Sequence, residues 1–453
     1  MADTTIIDSK DVMMAYLESG SKPDRDSWRI GAEHEKFVFH RSDNRPLSYA
    51  GENGRPGIRD VLKAFEDFGW KPVSESGNVI AEISGGASIT LEPGGQFELS
   101  GAPLEHMHDI CTETSRHLQH AKEIGEKLDV GFLGLGFHPT SSRECIPVMP
   151  KARYGIMRNY MPKVGSLGLD MMMRTCTVQV NLDFESEADM IEKFRIGLAL
   201  QPIATALFAN SPFLDGRNVG YQSYRSHIWT DTDSDRCGLL PFVFEDGMSF
   251  ERYLDHVLDV PMYFVRRGGD YIDAAGQSFR DFMDGKLPAL PGELPTMEDF
   301  QDHMTTLFPE VRLKTFLEMR GADGGPWNRL CALPAFWVGL LYSKDSQQAC
   351  LDLIKPWTFE ELETMRHSAP KLGLKTAHKG RLLRDVAKEV LDIADAGLKE
   401  RAKLSTSGEN ESGFISSLYE TVETGKTPAD KMIDAMEDHW DGDVSHVFKE
   451  FSY

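Results

Sequence analysis

The chain reads as an α+β protein built on an antiparallel or mixed sheet. Three features of its 453 residues point there. Strand-like and helical stretches follow one another irregularly, without the repeating strand–helix–strand unit that makes a parallel sheet. Gly-Gly pairs at 85–86 and 94–95 separate short runs, as turns between paired strands do. The segment Thr175–Phe184 alternates Thr, Gln, Asn and Asp with Cys, Val, Leu and Phe. That period of two marks a strand with one face in a core and the other open.

The elements follow in order. Residues 8–19 predict a short helix with Val12, Met13, Tyr16 and Leu17 on one side. Trp28–Phe39 predicts a strand and Asp60–Phe68 a helix. Asn78–Ser84, Ser88–Glu92 and Gln96–Ser100 predict three short strands around the Gly-Gly turns. Glu105–Leu128 predicts a long helix and Val130–His138 another strand. After Thr175–Phe184, Ser186 and Asp189 cap a helix running towards Pro202. Lys286–Met297 holds three prolines and predicts a loop, and Val311–Arg320 predicts a strand. From about residue 356 the pattern is helical to the end. Thr358 and Glu361 form a capping box, and Leu382, Leu383, Val386, Val390 and Ile393 form a stripe. Thr427-Pro428 is a cap followed by a first-turn proline.

Composition narrows the function classes. Apolar residues make up 41% and charged residues 26%, as in a globular protein. A net charge of −22 argues against nucleic acid and against an anionic membrane surface. Gly197–Ala209 and Leu330–Tyr342, the most apolar runs, are too short to span a bilayer. The acidic, polar N-terminus has no targeting character, and six scattered cysteines without a CxxC pair make a reducing cytosol the expected compartment.

Four clusters could carry chemistry. Glu33 and Glu35 share a strand face with Phe37 and Phe39; two carboxylates beside aromatics need a cation, and hard oxygen donors suit Mg²⁺ or Mn²⁺. An ordinary solvent-facing acidic strand fits the same spacing. Glu98 follows a Gly-Gly turn and shares a face with Gln96 and Ser100, in what is otherwise a plain hairpin. The uncharged polar face of Thr175–Asp183, with Gln179, suits a lined cavity or water equally. Glu318 and Arg320 share a face before a Gly-rich turn. Arg320 could meet a phosphoryl group or carboxylate, or simply pair with Glu318 at the surface. Asp231-Thr-Asp233-Ser-Asp235 is no calcium loop, because Arg236 and Phe242 stand where Gly and Glu are needed. Gly134-Leu-Gly136 lacks a dinucleotide context, no Walker A sequence occurs, and His138 and His227 read as structural.

The runs IGAEHEKFVF, LEPGGQFELSGAPLE, RYGIMRNYMPKVGSLG, MMRTCTVQVNLDF, ALQPIATALFANSPF, RSHIWTDTDSDR, PMYFVRR, LPGELPTMEDF and FPEVRLKTFLEMRGADGGPW resemble glutamate–cysteine ligases of the plant and proteobacterial type. The resemblance covers nearly the whole chain and implies a single catalytic domain over 1–453. It implies a glutamine-synthetase-like curved sheet, mainly antiparallel, forming a funnel with helices outside. It also implies a reaction: ATP, L-glutamate and L-cysteine give γ-glutamylcysteine through γ-glutamyl phosphate, the first step of glutathione synthesis. A ligase of this fold with another amine acceptor is the near alternative, and a non-catalytic metal- or thiol-responsive binding protein the distant one. By the resemblance, Glu33, Glu35, Glu98 and Glu318 are metal ligands and Arg320 meets the phosphoryl group. Arg174 and Arg225 would take substrate carboxylates, and Gln179 lies on a strand that supplies a further ligand elsewhere in the superfamily. Feedback by glutathione and a homodimer are candidate properties on the same basis. One cysteine pair of the plant enzymes is replaced by Ala274 and Ala289, while the other falls on Cys111 and Cys331, where a disulfide or two buried thiols would both fit. The chain lacks the plant plastid extension, so the resemblance points to a bacterial cytosolic protein or a mature form.

Overall fold

A computed structural model describes residues 3–453. Nine strands form one open, antiparallel sheet: β1 (Ile30–His40), β2 (Lys71–Glu75), β3 (Asn78–Ser84), β4 (Ala87–Leu91), β5 (Phe97–Ser100), β6 (Val130–Leu133), β7 (Thr177–Leu182), β8 (Val311–Leu313) and β9 (Leu317–Asp323). Their spatial order is β8-β9-β7-β1-β5-β4-β3-β2, with β6 paired to the second half of β1. Strand β1 is central because it has partners on both sides: Ile30–His34 pair with β7 and Glu33–Lys36 with β5.

Several predicted elements change length or number. Val311–Arg320 is two strands rather than one: the chain reverses at Lys314–Phe316, so that Val311 faces Met319 and Leu313 faces Leu317. The strand predicted over Val130–His138 stops at Leu133. A Cβ on Gly134 would stand 2.1 Å from the Tyr453 hydroxyl and one on Gly136 2.4 Å from Asp323 Cγ, so this stretch threads between neighbours instead of pairing along its length. The C-terminal part is helical, at 359–372, 383–401, 416–424, 428–438 and 447–450, apart from a two-stranded turn at 377–378 and 381–382. Leu382 lies outside the predicted stripe, exposed at the cap of the 383–401 helix.

The sheet's two faces have different fates. Val178, Val180 and Leu182 of β7, and Leu317 and Met319 of β9, are buried in the main core. The helices Glu187–Leu207 and Trp327–Leu341 cover this face, and both are buried nearly all round. The 327–341 helix crosses the 383–401 helix backbone to backbone: a Cβ on Gly397 would fall 2.0 Å from the Gly339 carbonyl oxygen. A second core gathers Ile89, Leu91, Phe97 and Leu99 with the helices at 58–64 and 107–128. A third packs Phe37 and Phe39 of β1 against the C-terminal residues Trp440, Val447 and Phe448. The opposite face of β4, β5, β1, β7, β9 and β8 is left for polar side chains.

Candidate active site

Register assembles the site. Thr90 lies opposite Glu98, Glu98 opposite Glu35, and Glu33 opposite Gln179. Asn181 lies opposite Glu318, and Glu318 opposite Arg312. Directly opposed residues point to the same face, so one polar band crosses six strands. The alternation in Thr175–Phe184 puts Thr177, Gln179 and Asn181 on this band and resolves the choice between water and a cavity: Thr177 and Gln179 are buried.

The carboxylates fall into two groups. Glu33 accepts from Asn181 Nδ2 at 2.7 Å, Glu35 from the Thr177 N–H at 2.9 Å, and Glu98 from the Thr90 hydroxyl at 3.0 Å. None has a cation of its own. Desolvation, reinforced by Glu318 and Glu98, pushes Glu33 up to about 7. Desolvation followed by the charges of Glu98 and Glu92 drives Glu35 well above the carboxylate range, and Glu98 is raised by burial and Glu92. Glu318 is opposite in character. Against the burial that would raise it, Arg312, Lys314 and Arg320 hold it well below its ordinary value. The Arg312 fork spans both of its oxygens at 2.8 and 3.0 Å, and Arg320 joins it. As a metal ligand Glu318 would have to surrender these partners; as found, it anchors two arginines.

Arg320 reaches further, donating to Gln179 Oε1 at 2.8 Å. It is not a surface pair with Glu318 but part of the wall of a cavity that Glu35, Glu92, Arg153, Arg225 and Trp229 also line. Gly321 beside it is needed for close approach, since a Cβ there would meet Gln201 at 1.9 Å. Arg225 is 3% exposed and donates to the Arg320 carbonyl at 2.9 Å. Arg174 stands apart from this group. It ends the helix 168–174, stacks 4.5 Å from the Phe137 ring and pairs with Asp170 and Asp215, outside the cavity lining. Its charge is already spent on two carboxylates. Arg153 and Arg312 were missed. Arg153 sits in a helix whose pattern shows nothing but helix, and Arg312 is placed by a chain reversal without Gly or Pro.

Among the described residues, no three Asp, Glu, His or Cys side chains enclose an ion as they are oriented. The chemistry of Glu33, Glu35 and Glu98 nevertheless fits a hard divalent cation: oxygen donors, desolvated, and raised above the ordinary carboxylate range for want of positive charge.

The glutamate–cysteine ligase family 2 model matches residues 29–450. The chain belongs to this family. It is 57% identical to chloroplastic glutamate–cysteine ligase B of Oryza sativa subsp. japonica, over 98% of this chain and 87% of that one. To the chloroplastic ligases of Medicago truncatula and Arabidopsis thaliana it is 57% and 56% identical, each over 98% of this chain and over 85% and 83% of theirs. Among solved structures, glutamate–cysteine ligase from Francisella tularensis in complex with AMP superposes with a TM-score of 0.52 at 13% identity, covering 94% of this chain and 89% of that one. At that identity the likeness is one of fold.

These family members correct the expected compartment. The relatives are plastid enzymes of plants, which overturns the reading of a bacterial cytosolic chain. That reading rested on scattered cysteines, an acidic start and the lack of the plant plastid extension, and none of these distinguishes a bacterial cytosolic chain from a mature plastid one. Among the described residues, no helix is long and apolar enough to cross a membrane. Cys111 and Cys331 are joined as a disulfide, with Cα atoms 5.7 Å apart, tying the 107–128 helix to the 327–341 helix. Ala274 is fully buried and Ala289 half-buried.

Proposed function

We propose that this family member joins the γ-carboxylate of L-glutamate to the amine of L-cysteine at the expense of ATP, with the polar band as its active site. The observation that carries the reading is the cavity in which Glu35 faces Arg225 and Arg320, in a chain 57% identical to a plant glutamate–cysteine ligase. The γ-carboxylate oxygen attacks the γ-phosphorus of ATP and ADP leaves. The cysteine amine then attacks the acyl carbon of the γ-glutamyl phosphate, and phosphate leaves with the acyl C–O bond pair.

Such a reaction needs placement and charge neutralisation more than a protein nucleophile. Arg320, held by Glu318 and Gln179, presents a fixed guanidinium to the phosphoryl oxygens. Arg225 is assigned to a substrate carboxylate, with Arg153 as a second cation in the same wall. Glu33, Glu35 and Glu98 are the residues that would hold Mg²⁺ or Mn²⁺. When bound, the ion supplies charge neutralisation for the polyphosphate. Glutathione shares the γ-glutamyl group and is expected to compete with glutamate. We read the chain as one catalytic unit, because its ends are tied into the body: Ile7 N–H donates to the Pro295 carbonyl at 2.8 Å and Tyr453 N–H to the Phe132 carbonyl at 3.0 Å.

The test is ADP release from purified protein with ATP, Mg²⁺ and glutamate, with and without cysteine, together with mass detection of the dipeptide. Cysteine-dependent ADP matched by γ-glutamylcysteine is expected. ADP without dipeptide would move the acceptor to another amine, and no ADP from folded protein would overturn the assignment.

A further inference from the structure

Asp323 ends β9 on the far side of Arg320 from Glu318, is 2% exposed and does not itself line the cavity. Its carboxylate is nonetheless saturated with donors. Oδ2 accepts the Asn210 N–H at 2.8 Å and the Ser211 hydroxyl at 2.7 Å, and Oδ1 accepts the Ser223 hydroxyl at 2.6 Å. Each serine has a second task. The Ser211 oxygen accepts the backbone N–H of Arg225 at 3.1 Å. The Ser223 oxygen caps the short helix 224–228, accepting the Ser226 N–H at 3.1 Å. A buried carboxylate therefore fixes, through two hydroxyls, the first turn of the helix that carries Arg225. The same strand meets that residue again, because the Arg225 guanidinium donates to the Arg320 carbonyl three positions before Asp323. The space is built for this arrangement: Gly136 lies so close that a Cβ there would stand 2.4 Å from Asp323 Cγ.

We propose that Asp323 is a positioning residue for the ligase reaction, acting with Ser211 and Ser223 to set the backbone origin and aim of the Arg225 side chain. This rests on the reading that Arg225 meets a substrate carboxylate. The charge matters as well as the shape. An ionised carboxylate accepts from all three donors, whereas an asparagine has one acceptor oxygen and would turn its NH₂ towards groups that already donate. Removing the acceptor leaves buried donors unpaired and releases the turn. The effect should appear in the binding of the substrate that Arg225 holds and spare the other.

The experiment is a double-mutant cycle read as KM for glutamate and KM for ATP, on protein whose thermal midpoint is measured alongside. Arg225→Gln alone is expected to raise the glutamate KM at least tenfold. Asp323→Asn is expected to raise it about tenfold with the ATP KM within threefold of wild type, and the double variant to be no worse than Arg225→Gln. Ser211→Ala, a smaller lesion, should give an intermediate rise and keeps the test open if Asp323→Asn does not fold. If Arg225→Gln leaves the glutamate KM unchanged, the substrate reading of Arg225 fails. If Arg225 matters but the effects of Asp323→Asn and Arg225→Gln multiply, or both KM values rise together, the positioning inference fails while the reading of Arg225 stands.

Discussion

Two residues show how differently this fold treats buried charge. Arg320 is fully engaged yet still faces the cavity, so its contribution is to the transition state. Arg320→Gln is expected to lower kcat by about 10²–10³-fold, and Arg320→Lys to recover part of it, because a point charge replaces a planar fork. Equal kcat for both variants and the wild type would remove Arg320 from the chemistry. Glu82 on β3 is the contrary case: fully buried, with neither oxygen hydrogen-bonded. Burial, aided by the Glu66 charge, pushes it up to about 7. The folded chain then holds a proton that the unfolded chain has lost, so stability falls as pH rises from the ordinary carboxylate range to about 7. Glu82→Gln removes that penalty. Its thermal midpoint relative to wild type should rise at pH 8 and not at pH 5, by the equivalent of about 2 kcal/mol. The same difference at both pH values would exclude the proton linkage.

At the scale of elements, what the sequence made legible follows from periodicity. Strands β1 and β7 could be read because alternation is long and clear there, and Glu33, Glu35, Glu98 and Gln179 fell on the correct face with them. The β8–β9 hairpin could not be read: Lys314–Phe316 turns without a glycine or proline, and Arg312 was hidden with it. The MMRTCTVQ run spans a junction: Arg174 ends a helix and β7 begins at Thr177. Helix contacts made by backbone are equally silent in a hydrophobic pattern. The Gly339–Gly397 crossing is one, and Gly397→Ala should force the two helices apart at a cost of about 2 kcal/mol or more. A melting temperature equal to wild type would mean that the helices separate freely.

For the whole molecule, the Cys111–Cys331 bridge joins two helices 220 residues apart in sequence, one packed beneath each half of the sheet. Four cysteines stay free: Cys145, Cys176, Cys237 and Cys350. Alkylation of the unfolded, unreduced chain should label those four and no more, rising to all six after reduction. Reduction should lower the thermal midpoint, since a long loop regains its freedom in the unfolded state. Labelling of all six before reduction would show that the bridge is not formed.

The strand order has a consequence for how the protein is born. β1 is made early, and β2 to β5 follow at once and can pair with it on one side. Its partner on the other side, β7, and the β9 strand beyond come far later. About 140 residues of synthesis separate His40 from Thr177, where β7 begins, roughly 7–28 seconds at 5–20 residues per second. Throughout that interval half a sheet stands on the ribosome with a bare edge, the kind of edge that recruits wrong partners. That edge carries Glu33 and Glu35. Two carboxylates on that edge, ionised while water still reaches them, guard the unfinished sheet against sticking to its neighbours.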